Sequence, residues 1–353
     1  MEITVSSNFE TRMDPCKLGF LVALGFGGVL MNTLPLWIGE MAISSNVSDA
    51  LAGAAGSVVL LLVAILCTIL RSQRAAAWGG YTLVLSLLLF AFSVGSSKVL
   101  VLIACGGIGV SMGVVLSGAF AHLAQAEDPQ GVISIAVTAG LIASLAAYLI
   151  VALTPISIQW VLVVFAVPVA IVCSAASENT DAHPDLDALD IAPLPKSLIP
   201  FFVMMGAYWA FLDVYGAQYM ERQALELWLL GTLLTGAAGS AAAGLVPQSY
   251  RRRMMGVALG LAALTGALTY VGLTGIALGL AILANAFFLF LFVPLYLVES
   301  QTQMAQRMAL YLASFAFGGG IGALLLNFGG YTALAAVTAS TGLLAVPLLR
   351  QTR

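Results

Sequence analysis

Apolar segments of about 20 residues recur from residue 18 nearly to the end of this chain, with short polar breaks between them. Each is long enough to cross ~30 Å of hydrocarbon at the 1.5 Å rise of an α-helix. In lipid every backbone N–H and C=O must be satisfied within the protein, which leaves only helices or closed barrels. Continuous apolar runs without alternation select helices. Composition agrees, because 61% of the 353 residues are hydrophobic and 8% are charged, where a soluble domain carries roughly a quarter. A soluble bundle is thereby excluded, and the expected fold class is an all-α integral membrane protein.

Twelve spans are expected, near 18–41, 50–70, 76–94, 98–122, 131–153, 158–176, 197–220, 225–246, 254–272, 275–298, 307–328 and 331–349. Residues 1–16 contain Glu2, Glu10 and Asp14 and lack a short apolar core before a cleavage site. They read as a cytoplasmic tail, and the first span acts as its own insertion signal. With the N-terminus inside, 11 of the 13 basic residues fall on cytoplasmic segments: Arg12, Lys17, Arg71, Arg74, Lys196, Arg251, Arg252, Arg253, Arg307, Arg350 and Arg353. Only Lys98 and Arg222 fall outside. This bias follows the positive-inside rule and places both termini in the cytoplasm.

Cys16, Cys67, Cys105 and Cys173 are scattered, and His122 and His183 stand apart from them. That pattern gives neither a disulfide framework nor a metal site, and no cofactor is expected. The one long polar stretch, "SAASENTDAHPDLDALDIAPLPK", holds five acids (Glu178, Asp181, Asp185, Asp187 and Asp190). It reads as a solvated cytoplasmic linker over 177–196 between two six-helix bundles, 17–176 and 197–353. The halves repeat at an offset of 177 residues: Gly39 recurs as Gly216, Asp49 as Glu226, Ser72 as Ser249, Arg74 as Arg251 and Gly79 as Gly256. Two parallel six-span repeats are a transporter architecture, with a site between the repeats near mid-membrane.

Three stretches resemble the major facilitator superfamily. "LPLWIGEMAISSNVSDALAG" (34–53) is similar to the end of the first span and start of the second in compact bacterial members. "GLVPQSYRRRMMG" (244–256) resembles a degraded form of the loop between second and third spans, repeated in the second half. "NAFFLFLFVPLYLVESQTQMAQRMALYLASFAFGGGIGALLLNFGGYTAL" (285–334) is similar to the tenth and eleventh spans with their basic cytoplasmic loop. The resemblance implies twelve helices in two pseudo-symmetric bundles, residence in a bacterial inner membrane, and a central cavity lined by the first, fourth, seventh and tenth spans. The sequence also departs from the superfamily's patterns. "LRSQRAAAWGG" lacks the aspartate and glycine of the usual first inner loop, the fourth span carries no arginine, and the fifth has no Gly-Pro signature. These departures weaken a drug:proton antiport reading.

Almost every charge lies in a loop or at a membrane surface. The exceptions are Asp213, in "GAYWAFLDVYGAQYM" (206–220), and less clearly Glu40. A charge at membrane depth costs several kcal/mol unless it faces water or a partner, and no basic residue lies within a span. Asp213 is therefore expected to face a wet cavity and, with Glu40, to couple transport to protons; alternatively it ties a helix end or a tyrosine hydroxyl. Glu40 also suits the outer interface beside Trp37. Trp209, Asp213 and Gly216 share one helical face with Tyr208 and Tyr215 flanking it, and Asn32, Leu36 and Gly39 form the equivalent face of the first span. By the resemblance, Ser111 and Met112 of the fourth span and Asn285, Phe288 and Phe292 of the tenth would join Asn32, Tyr208, Trp209 and Tyr215 around a substrate. Asn32 and Asn285 also suit interhelical hydrogen bonding, and the phenylalanines suit core or lipid. The glycines of "FGGGIG" (317–322) read as close helix packing. Arg71, Arg74, Arg251 and Arg307 are the candidate inner-loop gating residues.

These expectations describe a secondary active transporter, not an enzyme. A membrane-embedded transferase would need paired carboxylates, a metal cluster or a nucleophile with its base. The expected partners are a small-molecule substrate, protons and the lipid bilayer; a monomer is expected, with no nucleic acid. With no intramembrane Arg or Lys, the substrate is expected to be neutral, aromatic or weakly cationic. The alternatives are an exporter or flippase of amphiphiles and a non-transporting sensor that keeps the fold.

Overall fold

The computed structural model describes residues 15–45, 47–69, 73–123, 126–178 and 195–351. The acidic linker, apart from its ends, and the N-terminal tail up to residue 14 lie outside the described residues. The helices are α1 (Pro15–Asn32), α2 (Leu34–Ser44), α3 (Asp49–Ile69), α4 (Gln73–Ser93), α5 (Lys98–Leu123), α6 (Pro129–Leu153), α7 (Ile158–Glu178), α8 (Ile199–Gly216), α9 (Arg222–Gly244), α10 (Arg251–Thr269), α11 (Gly275–Leu297) and α12 (Met304–Gln351). No strand occurs among the described residues. Nine of these helices are long and apolar enough to span a membrane, and α1 and α2 together make a tenth span bent by 51°.

The bend divides the expected first span, 18–41, into two helices. Pro35 lies in the first turn of α2, where its ring and missing N–H cannot continue the helix begun by α1. Thr33, fully buried at the break, donates from Oγ1 to the Val29 carbonyl at 2.8 Å. Two expected spans, 307–328 and 331–349, run together in α12, where Gly329 and Gly330 leave helical geometry. Gly330 has φ +61°, a left-handed conformation that glycine adopts without a Cβ clash. The leg before the break lies on α8 and α3, and the leg after it lies along α10. Ala263 and Phe201 close around Gly342, so the second leg runs back alongside the first. The seventh span is shorter than expected: α8 ends at Gly216, and residues 217–220 form turns.

Helices α1–α7 pack mainly on one another, as do α8–α12. Two seams join the groups, α6 against α9 and α3 against α12. By the sequence repeat these seams are counterparts, since each sets the second span of one half against the fifth of the other. Within the second half, α8 and α12 approach through glycine. A Cβ on Gly318 would collide with the backbone of Gly206 and Ala207, and one on Gly206 would collide with the Phe315 carbonyl. Small residues allow such approach where lipid offers no hydrophobic drive for helix association. Around this seam, Phe202 packs edge-on to Tyr296 and Tyr311, each at 5.2 Å.

Gly318→Leu is therefore expected to destabilise the protein by about 1–3 kcal/mol or more, as overpacking does. Gly320→Leu, where a Cβ meets nothing within 4 Å, should leave the unfolding temperature in detergent near that of wild type.

Candidate functional site

One end of the molecule carries Arg251, Arg252, Arg253 and Arg307 and is closed by polar contacts between the halves. Asp128 caps α6, accepting a hydrogen bond at Oδ1 from the Gly131 N–H at 3.0 Å. Pro129 occupies the first turn, where a backbone donor is not needed. This fixes the side chain of Gln130, 4% exposed, toward the second half. Its Nε2 donates to the carbonyls of Ala243 (2.7 Å) and Val246 (2.8 Å), and its Oε1 accepts from Arg251 Nε at 2.8 Å. Arg251 also donates to the Val298 carbonyl at 3.3 Å. Along the same seam Ser240 Oγ donates to the Ser134 carbonyl at 3.0 Å and Thr138 Oγ1 to the Ala237 carbonyl at 3.4 Å. Leu141, Leu233 and Ala237 continue it as an apolar cluster, with Tyr148 and Phe290 packed against them.

The other seam is held more lightly. Cys67 Sγ contacts the Ala305 carbonyl at 3.8 Å, and Ser57 Oγ donates to the Ala316 carbonyl at 3.3 Å. Among the described residues no side-chain hydrogen bond crosses between the halves at the far ends of the helices.

A small cavity lies within the first half near the middle of α3, closed on one side by α12 of the second half. The bent first span contributes Met31, Leu34 and Trp37 among others, α3 contributes Val59, Leu60 and Val63, α5 contributes Met112 and Leu116, and α12 contributes Leu312. Every lining side chain is apolar or aromatic, and the Trp37 indole N–H is already turned to the Leu30 carbonyl at 3.4 Å.

No protein-family model and no curated protein sequence matches the chain. Solved structures match it along nearly its whole length. Against the human organic anion transporter MFSD10 (TETRAN), identity is 19%, coverage 95% of this chain and 98% of that one, and the TM-score 0.66. Against the E. coli fucose:proton symporter FucP, as a point variant, the values are 14%, 95%, 97% and 0.68. For FucP in its outward conformation they are 14%, 95%, 97% and 0.71. The chain has the major facilitator superfamily fold.

Within this major facilitator fold, most of the expected site residues point elsewhere than into the cavity. Met112 lines it. Ser111, one residue earlier, is buried against α4 and donates to Thr82 Oγ1 at 2.9 Å. Asn285 is fully buried and donates from Nδ2 to the Ala262 carbonyl of α10 at 2.8 Å. Asn32 bonds Ser144 Oγ at 3.4 Å, and its carbonyl accepts from Tyr148 at 3.1 Å, which ties α1 to α6. Tyr208 lies against Thr269 at 3.4 Å, and Tyr215 accepts from the Gly272 N–H at 2.8 Å. Phe292 stacks on Tyr296 at 5.6 Å inside the second bundle. Trp209 and Phe288 remain half-buried, edge-on to Tyr208 and Phe287. This small cavity is lined by the first, second, fourth and eleventh spans, whereas the resemblance implied a central cavity lined by the first, fourth, seventh and tenth. Ser111, Asn285, Asn32, Tyr208 and Tyr215 are drawn to backbone and side-chain partners within their own half.

The expected acids are at the far end. Because α8 stops at Gly216, Asp213 sits in its last turn, where its side chain is 46% exposed and pairs with Arg222 at 3.0 Å. Arg222 also holds Glu226 at 2.9 Å. The expectation that Asp213 faces the cavity without a basic partner is corrected accordingly. Glu40 accepts from Ser44 Oγ at 2.9 Å in an exposed turn of α2. Among the gating candidates, Arg251 bridges the halves. Arg307, 7% exposed, does not: it donates to the Tyr296 carbonyl and Glu299 Oε2, each at 2.9 Å, and sits 5.1 Å over the Tyr296 ring. It fixes the α11–α12 turn. Arg71 and the side chain of Arg74 lie outside the described residues.

Sequence reasoning missed Gln130 and Glu299. A search for charges inside spans passes over a neutral glutamine, although the Asp-Pro-Gln start of α6 marks a capped helix end. Glu299 stands one residue beyond its expected span, and only the fold brings Arg252 (3.2 Å) and Arg307 to it. Asp213→Asn is expected to cost less than about 1 kcal/mol in an unfolding titration, a loss that shrinks in high salt, as for an exposed pair.

Proposed function

We propose that this protein is a secondary transporter that moves a small organic solute by rocking its two halves about the small cavity where α12 meets the first half. The observation that carries the reading is the asymmetry of closure. The halves are hydrogen-bonded through Gln130 and Arg251 at one end and, among the described residues, carry no such side-chain bond at the other, with a small cavity where α12 meets the first half between the two ends. The human organic anion transporter and the fucose:proton symporter that share the fold are transporters by name, which supports the same class here. A cavity without polar or charged lining suits a neutral solute with an apolar or aromatic body, the Trp37 ring being its one aromatic wall. It offers no fixed cation for an anionic substrate and no hydroxyl partners for a sugar.

Coupling to protons is a second reading. It is favoured by the placement of Glu40 and Asp213, one on each of two repeat-related spans and both at the open end. On the leading reading these exposed, partnered carboxylates leave the driving force to the solute's own gradient.

Alternating access can be tested without a known substrate. Ser134 lies buried in the closed seam and its hydroxyl has no partner, so Ser134→Cys places a reporter thiol there at little cost. Adding Gln130→Ala removes three cross-half hydrogen bonds, each worth roughly 0.5–1.5 kcal/mol or more. The reporter's rate of reaction with an impermeant maleimide is expected to rise at least about tenfold. An unchanged rate in a folded variant would show that this end does not open and would refute the reading. For the second reading, the rate is compared at pH 5.5 and 7.5. The leading reading expects the same ratio in wild type and Asp213→Asn, whereas a pH dependence lost in the variant would establish proton coupling.

A further inference from the structure

Three consecutive arginines open α10, and each has a different fate. Arg251 reaches two neutral acceptors, Gln130 Oε1 and the Val298 carbonyl. Arg252 shares the Glu299 carboxylate with Arg307. Arg253 is exposed and makes no ion pair among the described residues. Four arginines of the second half thus gather about one acid. Two positions along a helix turn roughly 200°, so Arg253 stands on the side of α10 away from Arg251 and the clasp. Val257, Leu264 and Leu268 follow it on that face at i+4, i+11 and i+15, each a little under half exposed. Tyr250, just ahead of α10, is exposed as well.

Beside this face α10 and the second leg of α12 draw apart. At Gly342 they touch, because a Cβ there would collide with Ala263. One and two turns nearer the clasped end, Gly260 and Gly256 stand opposite Val346. A Cβ on either would meet that side chain alone, at 3.6 and 3.8 Å. The widening leaves a groove edged by Val257 on one helix and by Leu343, about half exposed, on the other. Arg350 follows Val346 by one turn of α12, which sets a second basic position at the mouth of the groove.

We propose that this groove holds an anionic phospholipid, with its phosphate at Arg253 and one acyl chain laid along Val257 and Leu264. The apolar walls accept any acyl chain, so the headgroup is selected by charge. A guanidinium offers phosphate oxygens paired N–H donors. A zwitterionic headgroup would bring a cation of its own to a corner already short of carboxylates. The acids of the first half at this end, Glu127 and Asp128, precede α6 and lie on the Arg251 side. Arg251 and Arg253 face opposite ways, so the lipid leaves the clasp intact. The proposal rests on the arginines and the groove, and stands apart from the transporter reading.

The test uses the full chain in phosphatidylcholine vesicles that hold a small fraction of phosphatidylglycerol. A diazirine midway along one acyl chain is carried by a trace of either lipid, and adducts are mapped by mass spectrometry after photolysis. The yield from the phosphatidylglycerol probe relative to the phosphatidylcholine probe is compared between two faces. One is Val257, Leu264 and Leu343 at the groove; the other is Leu85 and Phe92 on the exposed face of α4. In wild type the ratio at the groove is expected to exceed that on α4 by about tenfold or more, as two arginines near a bilayer surface would give. Arg253→Gln with Arg350→Gln changes positions at the helix ends that no described ion pair uses, and should bring the two ratios together. Arg222→Gln, at the opposite end, should leave the excess in place. Equal ratios in wild type would overturn the proposal, as they would arise if the acids of residues 177–196 occupied the arginines instead. An excess that survives in the Arg253→Gln, Arg350→Gln variant would overturn it too.

Discussion

Hydrocarbon offers a polar group no alternative partner, and most of the interior follows from that. Asn285 reaches the Ala262 carbonyl, Ser111 reaches Thr82, and Tyr270 donates to the Tyr208 carbonyl. Each of these bonds is made inside one bundle, while Gln130, Thr138 and Ser240 make theirs across the α6–α9 seam. An unpaired amide or hydroxyl at this depth would cost about 1–3 kcal/mol or more. The small cavity is left to valine, leucine, methionine and the Trp37 ring, and no polar side chain lines it. The residues that look most like ligands in the sequence are for this reason the ones most firmly committed to the scaffold.

The same constraint shapes how the halves meet. The α6–α9 seam uses side chains that bond backbone carbonyls across the interface, and α8–α12 within one half uses glycine to bring backbones together. The first kind of contact can be exchanged for water when an end opens; the second cannot be loosened without leaving a void. On the transporter reading, mobility between halves and rigidity within the second half thus come from different side-chain chemistries on neighbouring helices. The Arg307–Glu299–Arg252 cluster belongs with the rigid part, since all its members and the Tyr296 ring lie in one half.

The helical membrane architecture was plain in the sequence, because apolar runs at bilayer length admit few alternatives. The repeat offset correctly related the spans that form the two seams. What the sequence could not show was direction around each helix. Spacing placed Trp209, Asp213 and Gly216 on one face, but not which neighbour that face meets, and a four-residue overestimate of α8 turned an end-of-helix acid into a buried one. The bend at Thr33 was legible in Pro35, and the Gly329–Gly330 break in the glycine pair. Gln130 was legible to no search for charge, because its role depends on three partners from a distant part of the chain.

That partner choice has a consequence for where the protein can work. Arg251 is held by the neutral amide of Gln130 and by a backbone carbonyl, neither of which carries a titratable group. A clasp made with aspartate or glutamate would weaken as acid neutralised it and would be screened as salt rose. This one is blind to both over the whole physiological range. On the transporter reading, the clasp itself therefore adds no acid sensitivity to the balance between closed and opened forms, and any such sensitivity must enter elsewhere in the molecule.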